Sequence, residues 1–127
     1  MEATTLVEGT GAGEALVLEE PLSFWGGLDP VTGEIVEANH PQRVEIVTGS
    51  ILVMPSGRGS SSSATVLAEA IRLGTGPAGI VLGEPDEIIA IGALVAAELY
   101  GIAMPVVVAS PDGYAAIREG ERISLPP

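Results

Sequence analysis

Apolar residues follow two different patterns along the chain, and the pattern changes near residue 50. Before that point, short apolar runs are separated by Gly, Pro and acidic residues, which is typical of strands joined by tight turns. This pattern predicts strands over residues 15–18, 34–36 and 44–47. Residues 28–33 read Leu-Asp-Pro-Val-Thr-Gly, a composition that indicates a tight reversal stabilised by Asp29.

The second half of the chain alternates strand-length apolar runs with stretches of helical periodicity. Strands are predicted at residues 51–54, 78–82 and 105–108, and helices at residues 61–73, 86–100 and 111–119. This order favours parallel strands joined by right-handed crossovers. We therefore expect an α/β fold: a single compact β/β/α domain over residues 1–127, with a parallel β-α-β-α-β C-terminal half that the N-terminal strands extend or cover.

The helix predicted over residues 86–100 lacks the usual polar face. Every residue from 88 to 97 is apolar or glycine. A helix that is apolar on nearly all sides is either buried within a protein or packed against a partner. The sequence leaves both possibilities open.

The charge balance is strongly acidic. The chain has 17 acidic residues against 5 basic ones, all of them arginine, and a formal net charge of −12. This balance argues against nucleic-acid binding and against attraction to anionic membranes. An anionic ligand would therefore need a local positive site. Because 46% of the residues are apolar but only 3% are aromatic, the core has to be aliphatic.

The chain contains no cysteine and a single histidine, His40. It therefore offers no disulfide, no thiolate nucleophile, and no ligand set for an iron–sulfur cluster or a multi-histidine zinc site. The N-terminus lacks the features of a signal peptide, and no apolar run is long enough to cross a bilayer. We expect a cytoplasmic protein with no metal ligands in this chain, and a surface position for His40.

The richest candidate chemistry follows the strand predicted at residues 51–54. The segment Gly57-Arg58-Gly59-Ser60-Ser61-Ser62-Ser63, here called the serine loop, leads into a helix. Its serines place hydroxyls and free N–H groups at a helix N-terminus, which favours anions and stabilises an alkoxide. Arg58 adds a planar cation suited to a carboxylate or phosphate. The simpler interpretation is a helix cap after a glycine turn, and local chemistry leaves the two balanced.

The order of the elements predicts where a site would lie. Ligands of open parallel sheets bind at the carboxyl ends of the strands. The serine loop follows the first parallel strand, residues 83–86 follow the second, and residues 110–112 follow the third. We expect these loops to line one edge, with Asp86 capping the second helix. Trp25 with Phe24 is expected to be a packing anchor or an interface contact.

Several segments in combination resemble the swivel-domain, or small, subunit of the aconitase X family. They are residues 21–29 (PLSFWGGLD), His40-Pro41, the serine loop and residues 80–86 (IVLGEPD). The resemblance extends from about Gly9 to Ile123. It implies the swivelling β/β/α fold of the aconitase swivel domain and a hydro-lyase (dehydratase) activity. It also implies a cysteine-containing large subunit that holds an iron–sulfur cluster and joins this chain in a heterodimer or larger assembly.

The resemblance also implies roles for single residues. In aconitases a serine of a Gly-x-Gly-Ser-Ser loop is the catalytic base, which places that role on Ser60, with Ser61 the next choice. Aconitases carry an arginine after the paired serines, where Ser62 stands here, so Arg58 is the candidate for a related role. The implied contacts to a small anionic substrate are Arg58, Gly59, Ser61, Ser62 and Ser23.

Members of the family dehydrate cis-3-hydroxy-L-proline or, in archaea, phosphomevalonate. Residues 23–27, 72–75 and 97–101 look more like the bacterial hydroxyproline type, so that substrate is expected. Phosphomevalonate is the alternative, with Arg58 and the serine N–H groups on the phosphate. A different class of function also remains open: a non-catalytic module that binds an anion or phosphorylated metabolite. A P-loop enzyme is excluded, because the chain has no lysine.

Overall fold

The protein is described over residues 1–127 by a computed structural model. Its elements are β1 (Ala3–Val7), β2 (Gly11–Val17), β3 (Leu22–Ser23), α1 (Phe24–Gly27), β4 (Ile51–Met54), β5 (Gly57–Arg58), α2 (Ser62–Leu73), β6 (Gly79–Leu82), α3 (Glu87–Tyr100), β7 (Val106–Ala109), α4 (Pro111–Ala116) and β8 (Arg122–Leu125). Element α1 is a single turn, because Trp25 and Gly26 have non-helical dihedral angles. Strands β3 and β5 form a separate parallel pair.

The main sheet has 6 strands in the order β1-β7-β6-β4-β2-β8. Its central strands β7, β6, β4 and β2 are parallel, while β1 and β8 pair antiparallel at the two edges. The predicted β-α-β-α-β order is confirmed, since β4, α2, β6, α3 and β7 follow one another along the chain. The N-terminal strands β1 and β2 extend this same sheet, as expected.

Strand β4 shows how the sheet separates two hydrophobic layers. All of its residues are buried, and alternate side chains point to opposite faces. Leu52 and Met54 belong to the larger core cluster, together with the buried sides of α2 and α3. Ile51 and Val53 belong to a smaller cluster that β8 covers. The core is aliphatic as predicted, with Phe24 its only buried aromatic side chain.

Helices α2 and α3 pack closely together on one face of the sheet. A Cβ built on Gly92 of α3 would lie 2.9 Å from the carbonyl oxygen of Ala64 in α2 and 3.2 Å from its Cα. Both helices end as the sequence predicts, at Gly74 and Gly101 in the left-handed conformation. None of the helices combines the length and the apolarity needed to span a bilayer.

Two predicted strands are wrong. Residues 34–36 and 44–47 form only isolated bridges instead of a ladder. Val44 has a φ of 75°, a left-handed conformation that is foreign to strands and uncommon for a β-branched residue. Its N–H donates to the Ile35 carbonyl at 2.9 Å, so this segment is a set of tight turns. The predicted reversal before it is confirmed, because the Val31 N–H donates to Asp29 Oδ1 at 2.9 Å.

The pattern of apolar residues does not predict the edge strands β1 and β8, and it predicts too long a final helix. Strand β1 is mostly exposed, so it lacks the buried face that marks a strand in a sequence. Strand β8 does alternate, with Ile123 and Leu125 buried. Helix α4 ends at Ala116 instead of residue 119, because Ile117 is already extended.

His40 is buried, contrary to the prediction of a surface position. Its side chain is 4% exposed. Nδ1 accepts a hydrogen bond from the Gln42 N–H at 3.0 Å, and Nε2 lies 3.1 Å from the Glu20 carbonyl oxygen. Because Nδ1 accepts a hydrogen bond, the ring proton is on Nε2, which donates a hydrogen bond to the Glu20 carbonyl oxygen. His40 therefore ties the turn after residue 37 to the segment that precedes β3.

We predict that Gly92→Ala destabilises the protein by about 1–2 kcal/mol, although alanine is normally the better helix former by about 1 kcal/mol. The new Cβ would press on the backbone of Ala64, which cannot move aside as a flexible side chain can. Chemical denaturation measures the change. Leu94→Ala, at an exposed position of the same helix, is the control and should alter stability by less than about 0.5 kcal/mol. A stabilised Gly92→Ala variant would contradict the close helix contact.

Candidate functional site

The serine loop lies at the carboxyl ends of the parallel strands, as the element order predicts. It follows β4 and pairs through β5 with β3, which comes after β2. The loop after β6 reaches it too, through Asp86. The loop after β7 does not join by hydrogen bonding, since the bonds of Ser110 run to Glu2 and Gly113. The site is therefore built from the loops after β2, β4 and β6.

The Asp86 carboxylate connects the serine loop to helix α3. Its Oδ1 accepts from the Ile89 N–H at 3.0 Å, which is the predicted N-cap interaction. Its Oδ2 accepts from the Gly57 N–H at 3.0 Å. A Cβ on Gly57 would lie 2.7 Å from the Ile89 Cδ1. The start of the loop is thus held against α3 both by hydrogen bonding and by contact.

Gly59 is the point at which the loop turns toward the helix. Its φ is 108°, a value that side chains disfavour, and a Cβ there would lie 2.7 Å from Ser23 Oγ and 3.0 Å from Ser63 Oγ. The space behind the loop is only about 20 Å³, room for about one water molecule. The loop is therefore packed from behind, and a substrate can reach it only from the outer side.

The consecutive serines occupy different environments. Ser63 is 2% exposed; its hydroxyl accepts from the Trp25 N–H at 3.2 Å and donates to the Arg58 carbonyl at 3.4 Å. Ser60 and Ser61 are exposed, and Ser62 is half-buried. Ser63 is therefore a structural link, and the serines available to a ligand are the three before it.

Ser60 makes the hydrogen bonds that cap the N-terminus of α2. Its Oγ accepts from the Ser62 N–H at 3.3 Å, and its carbonyl accepts from the Ser63 N–H at 2.9 Å. Ser61, by contrast, has helical dihedral angles and makes no side-chain cap bond. The simpler interpretation, a helix cap, is confirmed: the Ser60 oxygen caps the helix. The same oxygen stays exposed at the positive end of the α2 dipole.

Arg58 is held by acidic partners. Its Nη1 lies 3.2 Å from Glu37 Oε2, and its Nη2 lies 3.5 Å from Glu20 Oε1 and 2.8 Å from the Pro21 carbonyl. The Glu37 side chain is 18% exposed and the Glu20 side chain 50%. An anion that binds Arg58 therefore has to compete with a nearby carboxylate, and the longer, more exposed Glu20 contact is the easier one to displace.

Ser23 and the α1 turn complete the loop's surroundings. The Ser23 hydroxyl donates to the Trp25 carbonyl at 2.9 Å, and its N–H donates to Glu37 Oε1 at 3.0 Å. Phe24 is buried and is a packing anchor, as expected, while Trp25 is 63% exposed. Four of the predicted site residues, Ser23, Arg58, Gly59 and Ser60, therefore lie within one hydrogen-bonded neighbourhood, followed by Ser61 and Ser62.

Sequence reasoning missed Glu37 and the second function of Asp86. Glu37 bonds both Ser23 and Arg58, yet it lies in a turn-rich segment where nothing local marks it. For Asp86 the helix-cap signal was readable, but its bond to Gly57 bridges 29 positions in sequence. Both roles depend on which loops the sheet brings together.

No group of three or more His, Cys, Asp and Glu side chains stands close enough to hold a metal ion. The acidic residues near the serine loop are engaged with Arg58 and with backbone amides. The fold and the loop together define a class: a parallel α/β domain that carries an exposed serine and an arginine at the carboxyl edge of its sheet.

The chain belongs to the aconitase X swivel domain family, whose sequence profile matches residues 1–127. In three dimensions it is similar to the holo-form of aconitase X from Thermococcus kodakaraensis, with a TM-score of 0.86 and 30% identity over 98% of this chain and 88% of that one. The α/β swivel-domain fold expected from the resemblance is thereby confirmed.

Curated relatives fall into two groups. A cis-3-hydroxy-L-proline dehydratase of Pseudomonas aeruginosa is 47% identical over 102 residues, which is 80% of this chain but 18% of the relative. A phosphomevalonate dehydratase small subunit of Methanopyrus kandleri is 48% identical over 79 residues, 62% of this chain and 58% of the relative. The chain thus spans less than a fifth of the Pseudomonas protein.

We predict that Gly59→Ala destabilises the protein more than Gly120→Ala does, by about 1–3 kcal/mol. Both glycines have a positive φ, of 108° and 82°, but only Gly59 has side chains within contact distance of a new Cβ. Both variants carry the strain of a positive φ, which is greater at 108° than at 82°. The difference therefore contains this extra strain together with the packing against Ser23 and Ser63. Urea denaturation of both variants measures it. Equal losses would mean that the loop is not packed as described.

Proposed function

We propose that this chain is the swivel component of a hydro-lyase, in which it supplies a serine base and part of an anion site to an active site shared with a larger component. The observation that carries the proposal is the Ser60 hydroxyl, exposed at the start of α2 and accepting the Ser62 N–H. Residues 1–127 are inferred to form this one domain. The kinship with dehydratases supports the reaction class.

Dehydration requires a base that removes the proton next to a carboxylate while hydroxide leaves the neighbouring carbon. The C–H and C–O bonds break, a C=C bond forms, and the removed proton and the hydroxide together make up the released water. A neutral serine is a poor base in water, so its alkoxide has to be stabilised. The N–H of Ser62 and the α2 dipole favour negative charge on Ser60 Oγ, and exclusion of water would strengthen both effects.

An anionic substrate meets a chain of net charge −12, so it requires a local positive site. We propose that Arg58 provides it by exchanging its contact with Glu20 for one with the substrate. Glu37, the less exposed partner, would keep the guanidinium in place during this exchange. The N–H groups and hydroxyls of Gly59, Ser61 and Ser62 complete the proposed contacts, with Ser23 supporting Gly59.

The larger component is proposed to be a cysteine-containing subunit that carries an iron–sulfur cluster, in a heterodimer or larger assembly. This chain does not fit such a cluster, because it has no cysteine and no acidic or histidine group able to hold a metal. The residues of this chain are therefore assigned to proton removal and anion binding only. A cytoplasmic location is part of the same proposal.

We propose cis-3-hydroxy-L-proline as the substrate. The relative that acts on it aligns with more of this chain than the Methanopyrus relative does, at nearly the same identity. Phosphomevalonate is the second candidate, because the Methanopyrus small subunit that is named for it is 48% identical to this chain over 79 residues. A non-catalytic anion-binding module is the competing class, and it predicts ligand binding by this chain alone.

We predict that Ser60→Ala lowers dehydration by the assembled enzyme at least about a thousandfold, since it removes the group that takes the proton. Initial rates with both candidate substrates, together with circular dichroism and co-purification with the larger component, measure the effect. The fold and the assembly should be retained, because Ser60 is exposed and makes only a local cap bond.

Ser61→Ala is the matched control. Ser61 is also exposed at the same helix end but makes no cap bond. It is a proposed substrate contact and not the base, so a loss of at most about tenfold, from one hydroxyl contact, is expected. Near-normal turnover by Ser60→Ala would remove the base assignment. Loss of activity in Ser61→Ala together with full activity in Ser60→Ala would assign the base to Ser61 instead.

A further inference from the structure

Helix α3 exposes a stripe of apolar side chains along one side. Ile88, Ile91, Val95 and Leu99 recur at intervals of three and four residues, the spacing of a single helix face. Leu94 and Tyr100 flank the stripe. These six residues are called the α3 face. Ile91, Leu94, Leu99 and Tyr100 are exposed, with Leu99 highest at 69%, while Ile88 and Val95 are half-buried. The chain itself therefore leaves most of this face uncovered.

The α3 face borders a groove of about 450 Å³ between α2 and α3. Thr65 and Ala68 of α2 form part of its other wall, and the polar lining is small compared with the apolar one. From Ile88 to Leu99 the stripe runs about 16 Å along the helix. A shallow apolar channel of this length fits a protein segment better than it fits a compact, charged metabolite.

The groove is continuous with the candidate active site. Ser61 of the serine loop lines one end of it, and Ile88 lies both in the groove and behind the loop beside Gly59. A molecule seated in the groove would therefore contact Ser61, the residue next to Ser60. Since Ser60 is exposed, such a molecule would stand beside the open side of the candidate site.

Charge distinguishes the α3 face from the rest of the chain. The chain has a net charge of −12, yet no charged residue occurs from Ile88 to Ala97. Glu87 and Glu98 stand at the two ends of this stretch. Glu69 and Arg72, at the rim on α2, pair at 2.7 Å, and this hydrogen bond lowers the pKa of the Glu69 carboxyl. An apolar centre with an acidic rim is the composition of a protein interface.

We propose that the α3 face is the surface on which the larger dehydratase component docks, an inference that rests on the proposed function. Continuity with the Ser60 site selects this occupant, because the larger component has to stand beside Ser60 to share the reaction. The relative lengths agree: the matched part is 18% of the Pseudomonas protein, so most of such an enzyme lies outside the swivel domain. The matching surface of the larger component is expected to present apolar side chains surrounded by basic residues.

The test is the affinity of this chain for the larger component, measured by calorimetry with the two purified polypeptides. Leu99→Glu places a charge on the most exposed residue of the α3 face and should weaken binding by roughly tenfold or more. Val31→Glu is the matched control. Val31 is an apolar residue with 72% exposure in the turn after Asp29, outside the groove, and its substitution should leave affinity unchanged.

Both substitutions are at exposed positions, and circular dichroism and thermal melts verify that each variant folds. Binding of Leu99→Glu with wild-type affinity would overturn the docking surface and leave the Ser60 assignment standing. Failure of the wild-type chain to bind the larger component would instead overturn the proposed function together with this inference. Self-association through the α3 face, detected by light scattering and lost in Leu99→Glu while the larger component still binds, would also overturn the docking surface.

Discussion

The site depends on the Asp86 carboxylate, which holds two backbone amides from different parts of the chain. One oxygen caps α3 at Ile89 and the other receives the Gly57 N–H. These two hydrogen bonds are partly buried, whereas the Arg58 ion pairs are exposed, so this carboxylate fixes the serine loop more firmly than the Arg58 pairs do. Two residues after Gly57, Gly59 turns with a positive φ beside the Ser23 and Ser63 hydroxyls, and Ser60 follows at the exposed start of α2.

The parts of this arrangement that are local in sequence could be predicted. The apolar runs of β4, β6 and β7 and the periodicity of α2 and α3 specify a parallel sheet, and the serines and Asp86 carry readable cap signals. The family resemblance supplied the reaction class and the choice of Ser60. What could not be predicted depends on contacts between distant segments. Glu37 meets Arg58 because two loops converge, and His40 is buried because the chain around Val44 folds into turns. Strand β1 could not be predicted because an exposed edge strand has no buried face to give alternating apolar residues.

In the proposed function this chain forms only part of an active site. The serine loop is packed tightly from behind and open in front, which suits a surface completed by another component. Its few positive groups lie within an acidic chain, so a substrate anion would be attracted only where the α2 N-terminus and Arg58 act together. The apolar α3 face adjoins this point. A swivelling component that closes over a larger one would bring the base to the substrate and exclude water in the same movement.

The most direct test of the shared-site account is a dehydration assay on three samples: this chain alone, the larger component alone, and the two combined. Each sample receives cis-3-hydroxy-L-proline and phosphomevalonate in parallel. A shared site predicts turnover only in the combined sample, with cis-3-hydroxy-L-proline consumed. Turnover by either component alone would contradict a shared site. A stable complex that turns over neither substrate would contradict the assigned reaction.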